Sequence, residues 1–293
     1  MNKIKQSLFF FIVLSCNLYS LENKIFDVTE KNVTIPSDQF SNKSSLTTKE
    51  YDNLLNKIVS PEIAQHLIKN YPKKPNGMTK TNVSIMFCDI CDFTTLSESF
   101  KSENVSSLLN KFFNNVAVIT KKHNGIINKF LGDAALIVFG FNEQNKSDIH
   151  PAQSATRAAL EIVEKTKSIM HNGEPLRTTI GIAYGTVSAG LIGAPERYEY
   201  TFIGDTVNVA SRIEGILTGT LKNRYAITVS QQAFENLDKN TKKLFTDLGE
   251  QKLKGKQTTV HLYGNHKLEQ SPAQKRLLEK QRKPYRQRWF LRK

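Results

Sequence analysis

With 293 residues, 39% hydrophobic and 23% charged, the chain has an ordinary globular composition and enough length for a sizeable core. Three cysteines exclude a disulfide framework, and a net charge of +14 points to an anionic partner such as a nucleotide, a nucleic acid or a lipid headgroup. Much of that excess sits in the run 274–293, QKRLLEKQRKPYRQRWFLRK, so it describes a tail more than a domain.

The chain opens with Lys3 and Lys5 ahead of an apolar run from Leu8 to Leu14. That run is shorter than the roughly 20 residues of a spanning helix and reads as a signal h-region. Val13-Leu14-Ser15-Cys16 has the form of a lipoprotein cleavage box, which would place a lipid on Cys16. A short membrane anchor and a misplaced start are the alternatives. Residues 22–49 are polar, without periodicity, and read as a linker. From Tyr51 to Asn70 apolar residues recur at helical spacing, with Ser60-Pro61 as N-cap and first helical residue.

Val83–Cys88 alternates as a strand and ends in Asp89. Thr95 and Glu98 form a capping box that predicts one long amphipathic helix through Leu108, Phe112, Val116 and Ile119 to about Lys122. Ile126–Leu131 and Ala135–Phe139 read as strands joined by a Gly132-Asp133 turn. Asp148 begins an Ala-rich helix that the pattern ends at Asn172-Gly173. Arg177–Tyr184 and Thr186–Ile192 read as a strand pair turning at Gly185, followed by a helix over Asp205–Leu217 and strands over Tyr225–Val229 and Thr259–Tyr263. The expected class is α+β, a ferredoxin-like, palm-type sheet with an antiparallel component and helices on one face. Four parts follow: 1–21 as signal or anchor, 22–49 as linker, 50–265 as the folded domain and 266–293 as the basic tail.

Asp89 ends one apolar strand, and Asp133 sits at the hairpin tip between two others. Two carboxylates at adjacent strand ends suit a shared hard cation such as Mg²⁺, completed by phosphate and water; a turn role for each is the alternative. Cys88 and Cys91 have CxxC spacing, but positions i and i+3 on a strand point to opposite faces and no second pair completes a zinc site. They read as small hydrophobes.

Four blocks in order, FCDICDFTTLSE, KFLGDAALIVFG, GIAYGTVSAGLIGAPERYEYTFIGDTVNVASRIE and LKGK, closely resemble the class III nucleotidyl cyclase catalytic domain. The resemblance covers roughly Tyr51 to Gly264. It implies that Asp89, Asp133 and the Ile90 carbonyl hold two Mg²⁺ or Mn²⁺ ions, and that the backbone through Phe93 and Thr94 cradles the terminal phosphates. It implies that Asn208 orients the ribose, Arg212 stabilises charge at the α-phosphate, and Lys254 meets the β/γ-phosphates. Lys129 and Thr201 stand at the base-selecting positions. An ammonium only donates, so Lys129 suits adenine N1, an acceptor, and implies ATP rather than GTP.

In this family one subunit supplies the metal carboxylates and the other the base, ribose and Lys254 contacts, so a homodimer with shared sites is expected. Two departures stand out. Asp92 occupies a position where many members carry Gly, and it is read as pointing outward. Thr179 occupies a position where some members carry a phosphate-binding Arg, and Arg177 is read as its substitute. A silent cyclase-like nucleotide-binding module is the competing reading. Nucleic-acid binding rests on the tail alone and is not expected. The N-terminal segment implies membrane association, with the catalytic domain in the cytoplasm where ATP is.

Overall fold

The computed structural model describes residues 59–70, 77–98, 102–141, 148–171, 173–194, 197–218 and 225–265. The signal-like segment, the linker, the first part of the Tyr51–Asn70 helix and the basic tail lie outside the described residues. The chain divides into two units, one containing residues up to Gly77 together with Gly190–Thr201, the other containing the remainder.

In the first unit, helix α1 (Pro61–Asn70) starts as its sequence dictates. Pro61 takes the first helical position, and the Ser60 hydroxyl and carbonyl accept from the Ile63 and Ala64 N–H groups at 3.4 and 3.0 Å. The His66 and Tyr200 rings meet edge to face at 5.5 Å.

The second unit is built on a twisted sheet. Its strands are β1 (Thr79–Ile90), β2 (Gly125–Leu131), β3 (Ala134–Phe139), β6 (Thr178–Ala194) as far as Ala189, β8 (Ile227–Ser230), β9 (Phe245–Lys252) and β10 (Thr259–Asn265). The spatial order is β2-β3-β1-β6-β8-β10-β9, with β7 (Arg197–Ile203) paired to β6. β6 and β8 run parallel; β1 lies antiparallel between β3 and β6, in the register Cys88↔Ala135 and Ile90↔Thr178. A short hairpin, β4 (Met170–His171) and β5 (Glu174–Pro175), stands apart from this sheet.

On one face, Met86, Cys88 and Ile90 of β1, Ile137 and Phe139 of β3, and Ile180 and Ile182 of β6 form the main core. Phe112 and Val116 of α3 (Ser102–Lys122) and Ala155, Ala159 and Ile162 of α4 (Pro151–Thr166) close it. Burying each Phe or Ile here contributes about 1.5–3 kcal/mol. Alanines let α4 approach the sheet closely. Helix α5 (Asp205–Thr218) lies on the opposite face. Gly181 alternates with Ile180 and Ile182, and a Cβ there would stand 2.5 Å from the Ala210 carbonyl oxygen and 2.5 Å from the Glu214 nitrogen. The mixed α+β class is the one expected, with α5 as the helix on the second face.

Other differences have local causes. The long helix expected from Thr95 is two helices, α2 (Phe93–Glu98) and α3, with residues 99–101 outside the described set. α2 begins two residues before the Thr95 box because Asp92 already accepts from the Leu96 N–H at 3.1 Å. α4 is capped by His150, not Asp148, and ends at Thr166; Gly173, at φ 80, serves the β4–β5 hairpin rather than a helix stop. β6 is one continuous strand through Gly185. That glycine makes room for the Thr206 hydroxyl, 2.7 Å from where a Cβ would stand. The helices α6 (Gln231–Glu235) and α7 (Lys239–Lys242), capped by Ser230 and Asp238, and the strand β9 are additional to the expected elements.

Candidate active site

Asp89 comes next to last in β1, the strand paired on both edges, so the sheet fixes its backbone. Two residues then reverse the chain. Cys91 donates its N–H to the Arg177 carbonyl at 2.9 Å, and Asp92 takes a left-handed conformation at φ 56 before α2 starts. Asp133 follows Gly132, which supplies the φ of 68 that the β2–β3 turn requires.

These two carboxyl groups, distant in sequence, are brought side by side, close enough for Asp133 to weigh on the Asp89 proton. Both are half-buried. Burial first, then the hydrogen bond and charge of Asp133, then the charge of Glu214, push the Asp89 carboxyl up to about 8. The Ile90 N–H, donating to Asp89 Oδ1 at 2.8 Å, acts in the opposite direction. Two acids held together share a proton unless a cation replaces it. The partner of Asp89 is therefore Asp133 and not the neighbouring Asp92.

Glu214 is the residue the sequence did not single out. It rides on α5, half-buried against Gly181, and Thr179 Oγ1 donates to its Oε1 at 2.7 Å. Burial raises its pKa, opposed by the Thr179 hydrogen bond, with the charge of Asp133 adding to the rise. The only sequence signal is its place in an apolar stretch of helix beside Ile213. Thr179, at the position expected to matter for phosphate, is fully buried and bonded to Glu214. Arg177 is turned to Asp92, with Nη2 3.1 Å from Oδ2. Asp92 is thus an ion-pair partner rather than an idle outward residue. The Cys88 and Cys91 thiols are buried, and burial pushes them up, Cys91 to about 11, so they are inert small hydrophobes.

The other face of α5 carries Asn208, exposed, and Arg212, half-buried, one turn apart. Gly255, at φ 73, lies against this helix: a Cβ there would be 3.6 Å from Arg212 Nη2. The fold therefore brings the LKGK loop to Arg212. Within the loop Lys254 is exposed, while Lys256 reaches Asp205 Oδ2 at 2.7 Å at the start of α5. Lys129 is half-buried on β2, just past a register shift between Ile127 and Lys129. Phe93 packs against the core and Thr94 is exposed. Thr201 is half-buried on β7, in the first unit.

Residues 77–265 match the model of the adenylate and guanylate cyclase catalytic domain. The chain belongs to this family. Adenylate cyclase 1 of Rhizobium meliloti (strain 1021) is 35% identical over 63% of this chain and 27% of its own length. The chain thus spans about a quarter of that relative. The solved adenylyl cyclase CyaB from P. aeruginosa is 26% identical with a TM-score of 0.56, over 67% of this chain and 98% of that one. The guanylate cyclase domain of RhGC from Catenaria anguillulae, solved with GTP, is 27% identical with a TM-score of 0.54, over 65% and 100%. Cyclases named for either purine therefore share this fold. Among the described residues no helix is long and apolar enough to cross a membrane.

Proposed function

We propose that this cyclase domain converts ATP to 3′,5′-cyclic AMP and pyrophosphate. The observation that carries the reading is the contact between Asp89 and Asp133. Their oxygen donors fit a divalent cation: two hard carboxylates side by side, one of them pushed up to about 8 by burial and by the other. Among the described residues no three His, Cys, Asp or Glu side chains gather into a metal-sized cluster, so substrate phosphates and water would complete the coordination. Asp89, Asp133 and the Ile90 carbonyl would hold two Mg²⁺ or Mn²⁺ ions. Such ions, when bound, lower the pKa of the ribose 3′-hydroxyl and neutralise the triphosphate.

The 3′-oxygen forms its bond to the α-phosphorus as the bond from that phosphorus to the bridging oxygen breaks. Pyrophosphate leaves, and the hydroxyl proton passes to solvent. Arg212 stabilises the charge that grows on the α-phosphate oxygens, and Asn208 orients the ribose. The backbone through Phe93 and Thr94 faces the terminal phosphates, and Lys254 meets them from the LKGK loop, where Lys256 is anchored to Asp205. Lys129 donates to adenine N1 while Thr201 accepts from the adenine amino group. A homodimer with two shared sites supplies both sets of residues. Membrane association through the N-terminal segment, with the catalytic domain on the cytoplasmic side, belongs to the same reading.

The decisive assay is cyclic-nucleotide formation by the purified chain with Mn²⁺ and either ATP or GTP. Cyclic AMP from ATP is expected, and Lys129→Glu should shift preference toward GTP by about tenfold or more. Preferential cyclic GMP formation by the unaltered chain would make it a guanylate cyclase. No turnover of either nucleotide would make it a silent binding or dimerisation module.

A further inference from the structure

Asp92, one departure from the family pattern, meets Arg177, the residue read as standing in for the arginine missing at Thr179. We infer that Asp92 and Arg177 form a positioning pair, which fixes the turn that follows Asp89 and Ile90 and cancels a negative charge beside the nucleotide's phosphates. This inference rests on the cyclase reading above.

Asp92 occupies the left-handed backbone position that ends β1, a position Gly fills without cost and Asp tolerates better than most residues. Its carboxylate lies three residues beyond the proposed metal ligand, where an unpaired charge would repel a polyphosphate. Arg177 answers that charge at 3.1 Å, and the two side chains are only 17% and 34% exposed, Arg177 and Asp92 respectively. Partial burial makes such a pair stronger and more specific than a solvated one. The same two segments are also joined through the main chain, Cys91 N–H to the Arg177 carbonyl at 2.9 Å. Any residue at position 177 preserves that main-chain bond. What arginine adds is charge and a second attachment of the turn to β6, next to the Ile90↔Thr178 register. Thr179 is bonded to Glu214, while Arg177, two residues earlier on the chain, is turned to Asp92.

The roles separate by sign. Removing the cation alone exposes Asp92 to the triphosphate, whereas removing both charges does not. The full chain would be compared with Arg177→Gln, Arg177→Lys, Asp92→Gly and the Asp92→Gly/Arg177→Gln double variant. KM and kcat would be measured with Mn²⁺ and the nucleotide the wild type turns over, and affinity for the Mn²⁺ complex of a non-cyclisable nucleotide by calorimetry. Arg177→Gln should raise KM about tenfold with a smaller change in kcat, Arg177→Lys should recover part of the loss, and the double variant should bind better than Arg177→Gln alone. An unchanged KM in Arg177→Gln, or a double variant no better than it, would overturn the pair's role while leaving the cyclase reading intact. A wild type without turnover that still shows this affinity order would overturn the cyclase reading and keep the pair. Absence of nucleotide binding would overturn both.

Discussion

The two faces of α5 serve regions of opposite character. One face presses Glu214 into the buried acid end of the sheet, near Asp133, where three carboxyl groups influence one another. The other presents Asn208 and Arg212 toward the open side, with the LKGK loop anchored beside them by the Lys256–Asp205 pair. The acid end is assembled within a single chain; on the polar face the one acid described, Asp205, is taken up by Lys256. A helix that supports one half-site with its back and offers the complementary half with its front suits a reaction centre shared between two copies.

The largest effect should separate activity from stability at the acid end. Asp133→Asn keeps a side chain of the same shape beside Asp89 but removes the charge, so turnover should fall by about a hundredfold or more while the metal-free melting temperature does not fall. Equal loss of both would mean that the pair is structural.

A smaller effect should come from the hinge between the two faces. Gly181→Ala places a Cβ against α5 backbone at 2.5 Å, which cannot be relieved by a side-chain rotation. Destabilisation of about 1–3 kcal/mol is expected by denaturant titration, with turnover reduced because Asn208 and Arg212 move with the helix. Unchanged stability would show that α5 is not held this closely.

The smallest effect lies away from both regions, at the α4 N-terminus. His150 Nδ1 accepts from the Ala152 N–H at 3.2 Å, a bond only the neutral ring makes, and burial lowers its pKa from the ordinary 6.5. A depressed folded pKa means that this contribution is full above about 6.5 and is lost as pH falls through the folded value. His150→Asn, a cap that does not titrate, should flatten the acid side of the stability profile; a superimposable profile would contradict the assignment.

The sequence made the acid end legible because each carboxylate terminates an apolar strand, and strand ends at a hairpin and its neighbour converge. The class of the fold was legible for the same reason, through alternation and turn residues. Glycines were harder to read. Gly185 looks like a turn and is instead a seat for Thr206 within one long strand, because a missing Cβ signals close approach as readily as reversal. Gly173 looks like a helix stop and belongs to a hairpin. The Asp92–Arg177 and Thr179–Glu214 contacts depend on the β1–β6 register and on how α5 docks, and local sequence carries neither.

The central claim is that two copies share the site, and complementation tests it most directly. Asp89→Ala and Asn208→Ala chains, each inactive alone, would be mixed in equal amounts and assayed for cyclic AMP. Random pairing makes half of the dimers mixed, each with one intact site of two, so recovery to about a quarter of wild-type activity is expected. A mixture as inactive as its components, with dimers present and exchanging, would contradict the account.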